Sequence, residues 1–279
     1  MYSHAIHTGQ HLVLSAGVGT SFYVKDMKAL ILAAGRGRRL WPFTAEHPKC
    51  LLQVGAISLL ERQVCHLRQV GIEQFVVICG FGMERVRTAI DEAGLHDIKL
   101  LYNPFYAVSD NLISLWAARS EIDEDFLLLN GDNIFHPECV RSLLQQPYAC
   151  SLLAKRKERY ESDDMKLVLR NKRVERIGKD LPSQVAEAES LGILHFRADG
   201  VRALRSALEE VVVEERALSS HFPAVIQHMI DLGHEVSSCF TPGFPCSDVD
   251  TPEDLVRVRS ELHHYCSHRE RFSTAAGKY

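Results

Sequence analysis

The sequence predicts an α/β fold in which helices sandwich a Rossmann-like, mostly parallel sheet, followed by a β-rich second half. Two observations predict it. Short apolar runs alternate with helical stretches from Met27 onward, and the first run, residues 29–34, is apolar at every position. Strands that are buried on both faces of a parallel sheet read as continuous apolar runs, and the crossovers between them are usually helices.

The first half is predicted to contain three successive β-α-β crossovers. Apolar residues at helical spacing mark each helix, as Leu60, Val64 and Leu67 do for the first one. The predicted strands are residues 28–34, 74–79, 98–102 and 126–130. Because the carboxyl ends of parallel strands meet at one edge of the sheet, a crevice of nucleotide size is expected there.

The second half changes character, because its strands follow one another at close spacing. Asn171-Lys172 predicts a hairpin turn, and Thr251 followed by Pro252 predicts the start of a final helix. The predicted strands are residues 150–155, 165–170, 173–178, 190–196 and 235–240, and the other helices lie around 200–210 and 221–232.

The pattern divides the chain into three parts. Residues 1–26 show no clear period and are predicted to be an extension, either disordered or preceding the native start at Met27. Residues 27–262 form one predicted domain, with a first half over 27–150 and a second half over 151–262. Residues 263–279 form a tail. The sequence does not predict an oligomeric state.

Composition excludes several classes of protein. The 36 acidic and 32 basic side chains give a formal charge of -4, which argues against a nucleic-acid binder. No apolar run approaches the roughly 20 residues that span a bilayer, so membrane insertion is not expected. The eight cysteines are scattered, without a C-x-x-C pair, which predicts no zinc site and a reducing, cytoplasmic location.

The most informative segment runs from Leu32 to Lys49 and follows directly after the first predicted strand. Gly35 and Gly37 allow a sharp bend that turns backbone N–H groups toward an anion, while Arg36, Arg38, Arg39 and Lys49 add positive charge. This pattern indicates a triphosphate-binding loop. A glycine-rich turn with solvated basic residues would show the same sequence pattern. Leu40 replaces the third glycine of a dinucleotide fingerprint, which disfavours a dehydrogenase, and there is no Walker A motif.

The segment LAAGRGRRL followed by PK resembles the signature of the nucleotidyltransferases that make nucleoside-diphosphate sugars and alcohols. The resemblance continues in order through LLLNGD, IGKDLP, ESLGILHF and DVDTPEDL, and covers Met27 to Leu262. One departure is Arg38, where the family commonly has Ser or Thr. The resemblance implies the fold of the nucleotide-diphospho-sugar transferases, with an acceptor-binding second half.

The resemblance also implies roles for individual residues. Arg39 and Lys49 would be catalytic and would neutralise the triphosphate, and Asp132 and Asp250 would bind Mg²⁺, with Asp248 as a spare carboxylate. Nucleotide-binding roles are implied for Leu32, Ala33, Ala34, Gly35, Gly37, Gly80, Ser109, Asp110, Asn111 and Gly131. Acceptor-binding roles are implied for Lys166, Lys179 and Glu189.

Structural alternatives stand beside these assignments. Asp132 could cap a turn, and Asp250 could be an acid at the start of a helix. Lys166 could be a strand lysine that faces water, and Glu189 an edge-strand charge. Asn111 could cap the helix that follows it.

The segment NPFYAVSDNLISLW resembles the branch that activates phosphorylated alcohols, such as the phosphocholine and inositol 1-phosphate cytidylyltransferases. This resemblance implies transfer of a nucleoside monophosphate, with CTP as the favoured donor, to a phosphorylated small alcohol or phosphonate. Since the acceptor phosphate is already anionic, the reaction needs no general base, and electrostatics would supply most of the rate. The alternatives are a sugar-1-phosphate nucleotidyltransferase and a catalytically silent nucleotide-binding regulator.

Overall fold

The computed structural model describes residues 27–266 as one sheet-based α/β unit. The strands are β1 Lys28–Ala33, β2 Gln53–Val54, β3 Ile57–Ser58, β4 Gln74–Cys79, β5 Ile98–Tyr102, β6 Phe126–Asn130, β7 Asn133–Phe135, β8 Cys150–Lys155, β9 Lys166–Arg170, β10 Arg173–Gly178, β11 Ala188–Phe196, β12 Ser237–Phe240 and β13 Cys246–Asp248. The helices are α1 Leu59–Gln69, α2 Met83–Glu92, α3 Asn111–Ala117, α4 Pro137–Leu144, α5 Asp199–Val211, α6 Pro223–Asp231, α7 Pro252–Ser260 and α8 Leu262–Tyr265.

The main sheet has nine strands in the order β5-β4-β1-β6-β11-β8-β12-β10-β9. The first four of these are mutually parallel, and α1, α2 and α3 connect them in the chain order β1, β4, β5, β6. The three predicted crossovers are therefore confirmed. The carboxyl ends of β1, β4 and β6 lie at the same edge of the sheet, which is where a binding crevice forms in folds of this kind.

The strands of the second half continue the same sheet. Strand β11 lies antiparallel between β6 and β8, and β12 runs parallel to β8. The two halves of the predicted domain are thus joined by backbone hydrogen bonds between β6 and β11. Since β11 is an interior strand, the interpretation of Glu189 as an edge-strand charge is wrong.

Local sequence signals mark several of the element boundaries. Asn171 adopts a left-handed φ of 60° in the two-residue turn between β9 and β10, as the hairpin prediction requires. Thr251 caps α7 by accepting a hydrogen bond from the Asp254 N–H through its hydroxyl, and the Asp254 carboxylate accepts one from the Thr251 N–H. Pro252 occupies the first turn of that helix, so the predicted helix start is confirmed.

Two apolar cores cover the faces of the sheet, and alternate residues of β1 belong to different ones. Leu30 and Leu32 pack with α3, α5 and α6, whereas Ile31 packs with α1, α2 and α4. A third, smaller core lies beneath the Leu32–Lys49 segment and contains Leu40 and Tyr265. Because Tyr265 is 2% exposed, the packed unit extends past the predicted boundary at Leu262.

The predicted extension, residues 1–26, lies outside the described residues, as do residues 267–279 of the predicted tail. Within residues 27–266, the helices are all too short or too polar to cross a bilayer.

Candidate active site

A cavity of about 780 Å³ opens at the carboxyl ends of β1 and β6. Its walls also include the interior strand β11 and the segment that follows β13. All of the predicted site residues line this cavity except Gly80, Lys166 and the loop cation Arg36. Residues that lie far apart in the sequence are therefore gathered into a single space, as the carboxyl-end position predicts.

The loop after β1 leaves room for a ligand to approach the backbone. A Cβ added at Gly35 would have no heavy atom within 4 Å, so a side chain there would project into open space. Gly37 has a φ of 64°, and its carbonyl accepts a 2.7 Å hydrogen bond from the Thr44 hydroxyl. Gly35 thus leaves the space open, and Gly37 permits the left-handed bend that shapes the loop.

Two other glycines permit close packing. A Cβ at Gly80 would lie 2.4 Å from the Tyr106 Cβ and 2.7 Å from the Ala34 carbonyl oxygen. Gly80 packs directly behind the cavity wall, against Ala34 and Tyr106, and its contact with nucleotide stays a prediction. Gly131 lines the cavity, but a Cβ there would lie 2.8 Å from the Ala33 Cβ.

Lys49 is the centre of the charged floor of the cavity. Its Nζ lies 2.6 Å from Asp132 Oδ2 and 2.5 Å from Asp250 Oδ1, and its side chain is 14% exposed. Burial opposes the charge, but the carboxylates of Asp132 and Asp250 outweigh it and hold the pKa of Lys49 above its ordinary value. The ammonium group is therefore a fixed positive charge at neutral pH.

The carboxylates around Lys49 have capacity left for a cation. Asp132 Oδ1 is buried and has no hydrogen-bond partner among the described residues. Burial and the nearby negative charges of Asp132 and Asp250 raise the pKa of Asp248 well above its ordinary value. Within residues 27–266, no cluster of three or more His, Cys, Asp or Glu side chains has metal-binding geometry. A metal ion held by Asp132 and Asp250 would therefore need substrate or water oxygens as its remaining ligands.

A second set of ion pairs lies at the mouth of the cavity, around Asp163. Asp163 forms an ion pair with Arg39, and its Oδ1 lies 2.6 Å from the Nζ of Lys179. Arg39 also contacts Asp250 Oδ1 at 3.0 Å through its other terminal nitrogen. Partial burial acts to raise the pKa of Asp163, but Lys179 and Arg39 outweigh it and lower that pKa. The structure thus brings two of the three predicted phosphate-binding cations, Arg39 and Lys179, together around one carboxylate.

The position of Lys166 differs from both interpretations of the sequence. Its side chain is 1% exposed, and its Nζ donates to the carbonyl of Lys179 at 2.6 Å. It also contacts the carbonyls of Ser162 and Asp164 at 3.4 Å. Lys166 therefore neither faces water nor lines the cavity. Three backbone carbonyls satisfy the buried ammonium, and one of them belongs to Lys179. These hydrogen bonds therefore fix the backbone at Lys179.

Glu189 lines the β11 side of the cavity and shares Lys157 with Asp164. The Lys157 Nζ lies 2.8 Å from Asp164 Oδ2 and 3.3 Å from Glu189 Oε2. Burial raises the pKa of Glu189, opposed by the charge of Lys157 and reinforced by that of Asp164. This wall is charged and polar, which suits a hydrophilic acceptor.

The segment before α3 forms the opposite wall. Asn103 is buried, donates to the Ser114 hydroxyl at 3.0 Å and accepts from the Phe105 N–H at 2.9 Å. Asp110, not Asn111, is the N-cap residue of α3. The Asn111 side chain instead accepts a 2.8 Å hydrogen bond from the Phe222 N–H, so the interpretation of Asn111 as a helix cap is wrong.

Several cavity residues were not predicted, and one predicted cation turns away. Arg36 is not part of the cavity wall, since its guanidinium lies over the rings of Phe81 and Tyr106, at 5.3 and 5.8 Å from their centroids. The polar residues that were missed include Asn103, Asn130, Asp163, Asp164 and His221. The acidic pair Asp163-Asp164, directly before Lys166 in the sequence, was the available signal for Asp163.

Comparisons with known proteins agree with this architecture. The inositol-1-phosphate CTP transferase from T. maritima superposes with a TM-score of 0.74 at 20% identity, covering 88% of this chain and 98% of that one. Among curated proteins, the bifunctional IPC transferase and DIPP synthase of Rubrobacter xylanophilus is 31% identical over 242 residues, which is 84% of this chain and 51% of that protein. The choline-phosphate cytidylyltransferase of Streptococcus pneumoniae is 34% identical over 116 residues, covering 42% of this chain and 49% of that protein.

These curated relatives are longer than the matched region, since the chain spans about half the length of each of the two. The family model for the MobA-like NTP transferase domain matches residues 29–224. That match begins in β1 and ends in α6, so it contains the Gly35 loop, Lys49, Asp132 and the β11 wall of the cavity. The sequence resemblance and the α/β fold prediction are both confirmed, and the chain belongs to the MobA-like NTP transferase domain family.

Proposed function

We propose that this chain transfers CMP from CTP to a phosphorylated small alcohol or a phosphonate and releases pyrophosphate. The observation that carries the proposal is the position of Lys49, held by Asp132 and Asp250 on the floor of a cavity whose rim is the open Gly35 loop. A fixed ammonium beside an accessible glycine backbone suits a triphosphate, and carboxylates beside it suit a metal ion.

The reaction joins two anions. An oxygen of the acceptor phosphate forms a bond to the α-phosphorus of the nucleotide while the bond from that phosphorus to pyrophosphate breaks. The acceptor oxygen is already deprotonated at neutral pH, so the protein needs to align and neutralise the reactants and does not need to remove a proton. In this proposal Arg39 and Lys49 offset charge on the triphosphate, and Lys179 holds the acceptor phosphate.

Asp132 and Asp250 would hold Mg²⁺, which fits the unpartnered Oδ1 of Asp132 and the excess of carboxylates around Lys49. The ion would neutralise phosphate oxygens and help to align them. The chain's own contribution is to fix both carboxylates against one lysine and to enclose the site between β1, β6 and β11. No serine, cysteine or histidine nucleophile is part of the proposal, which is a single displacement.

Related proteins support the choice of donor and acceptor. Two of them are a choline-phosphate cytidylyltransferase and a CMP-5'-(3-aminopropyl)phosphonate synthase. The first name refers to transfer of a cytidylyl group and the second to a product that contains CMP. A UTP–glucose-1-phosphate uridylyltransferase from Haloferax volcanii is 33% identical over 110 residues, and it supports the second candidate, a sugar-1-phosphate nucleotidyltransferase. A silent regulator is disfavoured because Arg39, Lys49, Asp132 and Asp250 are all present.

The test is a pyrophosphate-release assay with Mg²⁺ that combines CTP, GTP, UTP, dTTP and ATP with four acceptor types. These are phosphocholine, inositol 1-phosphate, aminoethylphosphonate and hexose 1-phosphates. We expect turnover with CTP and one of the first three acceptors, and none after chelation of the metal. Turnover only with a hexose 1-phosphate would establish the second candidate, and no turnover with any pair would reject both.

A further inference from the structure

Two buried amide side chains form hydrogen bonds with the turn that carries Asp132. Gln63 lies on α1 and is 1% exposed, and Asn133 is the first residue of β7 and is 0% exposed. Neither residue lines the cavity. They are therefore separated from any substrate, and a role for them has to act through the residues that they contact.

Gln63 binds the turn on both sides of Asp132. Its Nε2 donates to the Asn130 carbonyl at 2.9 Å and to the Asn133 carbonyl at 2.8 Å. These two carbonyls flank the Gly131-Asp132 pair. A single side-chain nitrogen thus fixes the entry and the exit of the turn relative to α1.

Asn133 connects the same turn to a second acid. Its Oδ1 accepts from the Asn130 N–H at 2.9 Å, and its Nδ2 donates to the Leu191 carbonyl at 3.0 Å. The same Nδ2 also donates to Asp248 Oδ1, which lies opposite Asn133 in the β7–β13 pairing. One side chain therefore links the turn, the interior strand β11 and the acidic strand β13.

The side-chain amide of Gln63 acts through its N–H groups and not through its oxygen. Its Oε1 is buried and has no hydrogen-bond partner among the described residues. An apolar side chain of similar size would avoid the cost of burying an unpaired oxygen. Since both of its N–H groups meet carbonyls of the turn, the gain from the amide lies in holding that turn.

The backbone of the turn is fixed from two further directions. The Gly131 N–H donates to the Leu32 carbonyl at 2.8 Å, and the Asp132 carbonyl accepts from the Val249 N–H at 3.1 Å. With this backbone fixed, the Asp132 side chain extends toward Lys49 and Asp250. A small tilt of the turn would change the separation of the Asp132 and Asp250 carboxylates.

We propose that Gln63 and Asn133 are positioning residues, which hold Asp132 and Asp248 in the arrangement that a nucleotide-bound metal ion requires. The inference rests on the proposed function, because it assumes that Asp132 and Asp250 bind the metal. Partners of metal-binding carboxylates typically change metal affinity or activity by about 10- to 100-fold when they are removed.

The experiment measures CTP binding by calorimetry without an acceptor, once with Mn²⁺ and once with EDTA. The ratio of the two Kd values gives the gain in affinity that depends on the metal. Gln63→Met keeps the length of the side chain and removes both donors. We expect it to reduce this ratio by about tenfold or more and to leave the metal-free Kd unchanged.

The matched control is His66→Met. His66 lies one turn further along α1, is equally buried, and its Nδ1 contacts the Phe135 carbonyl at 2.7 Å, at the far end of β7. This variant should keep the wild-type ratio even if it lowers the thermal midpoint. Gln63→Leu provides a second variant without donors if Gln63→Met does not fold.

The outcomes are distinct. A wild-type ratio in both folded Gln63 variants would overturn the inference, and so would an equal loss in His66→Met, because the effect would then follow general destabilisation. A wild-type protein that binds CTP without any gain from Mn²⁺ would overturn it as well. A wild-type protein that binds no CTP would instead reject the CTP-dependent function on which the inference rests.

Discussion

Two charge clusters in one cavity differ in burial. In the floor cluster, Lys49 is 14% exposed and Asp132 23%. In the mouth cluster, Arg39 is 55% exposed and Asp163 51%. A buried ion pair keeps its geometry because separating it leaves an uncompensated charge, whereas an exposed pair gains little and can exchange partners. The floor is therefore suited to keep reactants aligned, and the mouth is suited to let them enter.

The mouth cluster also contains its own anion. Asp163 belongs to the segment between β8 and β9, and its carboxylate lies between Arg39 and Lys179, the cations that would meet substrate phosphate. A phosphate entering this position would compete with Asp163 for both cations. The floor and mouth clusters should consequently respond in opposite directions when an acid is removed.

The largest expected effect is at the floor. Asp132→Asn weakens a proposed ligand of the metal ion and one of the two carboxylates that fix Lys49, so turnover should fall by about 100-fold or more. The measurement is kcat with circular dichroism as a check of the fold. Asp125→Asn, which changes a carboxylate outside the cavity, is the control. Near-normal turnover in Asp132→Asn would remove Asp132 from the site.

A smaller loss is expected when a cation is removed at the mouth. Lys179→Ala deletes one charge-assisted hydrogen bond, which is worth about 1.5–3 kcal/mol, so the KM of the acceptor should rise by about 10- to 100-fold. Lys172→Ala, in the exposed turn between β9 and β10, is the matched control. Equal KM values for wild type and Lys179→Ala would show that the acceptor phosphate binds elsewhere.

Removing the acid at the mouth should strengthen binding. Asp163→Asn frees Arg39 and Lys179, and because exposed ion pairs contribute about 0.2–1 kcal/mol, the KM of the acceptor should fall by up to about fivefold. Asp180→Asn removes the same charge from an exposed position outside the cavity. A rise in KM for Asp163→Asn alone would mean that Asp163 binds substrate and does not compete with it.

The smallest effect concerns pH. The pKa of Asp163 in the folded protein lies below its ordinary value of 3.8. Its stabilising contribution is therefore complete above pH 3.8 and is lost as the pH falls through the lower, folded value. The difference in thermal midpoint between wild type and Asp163→Asn should shrink from pH 5 to pH 3.5. A difference that stays constant would show that Asp163 has no stabilising ion pair.

The strands were predictable because their signal is local. β4, β5, β6, β8 and β10 have the predicted bounds, since apolar runs between polar turns define them without reference to the rest of the chain. Strands β2, β3, β7 and β13 were missed, because each has only two or three residues and exists through its pairing partner. Boundaries such as the start of β11 at Ala188 also depend on a partner, which here is β9.

The site divides in the same way. The glycine loop, Lys49, Asp132 and Asp250 were predictable because they occur in ordered motifs at strand and helix ends. Burial of Lys166 was not predictable, because it depends on a hydrogen bond from its Nζ to the carbonyl of Lys179, which lies on a later segment of the chain.

The sequence by itself determined the fold class, the order of the main strands along the chain and the motifs that carry Gly35, Lys49, Asp132 and Asp250. These follow from periodicity and from motifs that are read over short distances. Only the tertiary structure decided which acid meets which base. Asp163 faces Arg39 across 124 positions, and Gln63 reaches Asn133 across 70. Such contacts depend on the order of strands in the sheet and on the closing of distant loops, neither of which local sequence encodes.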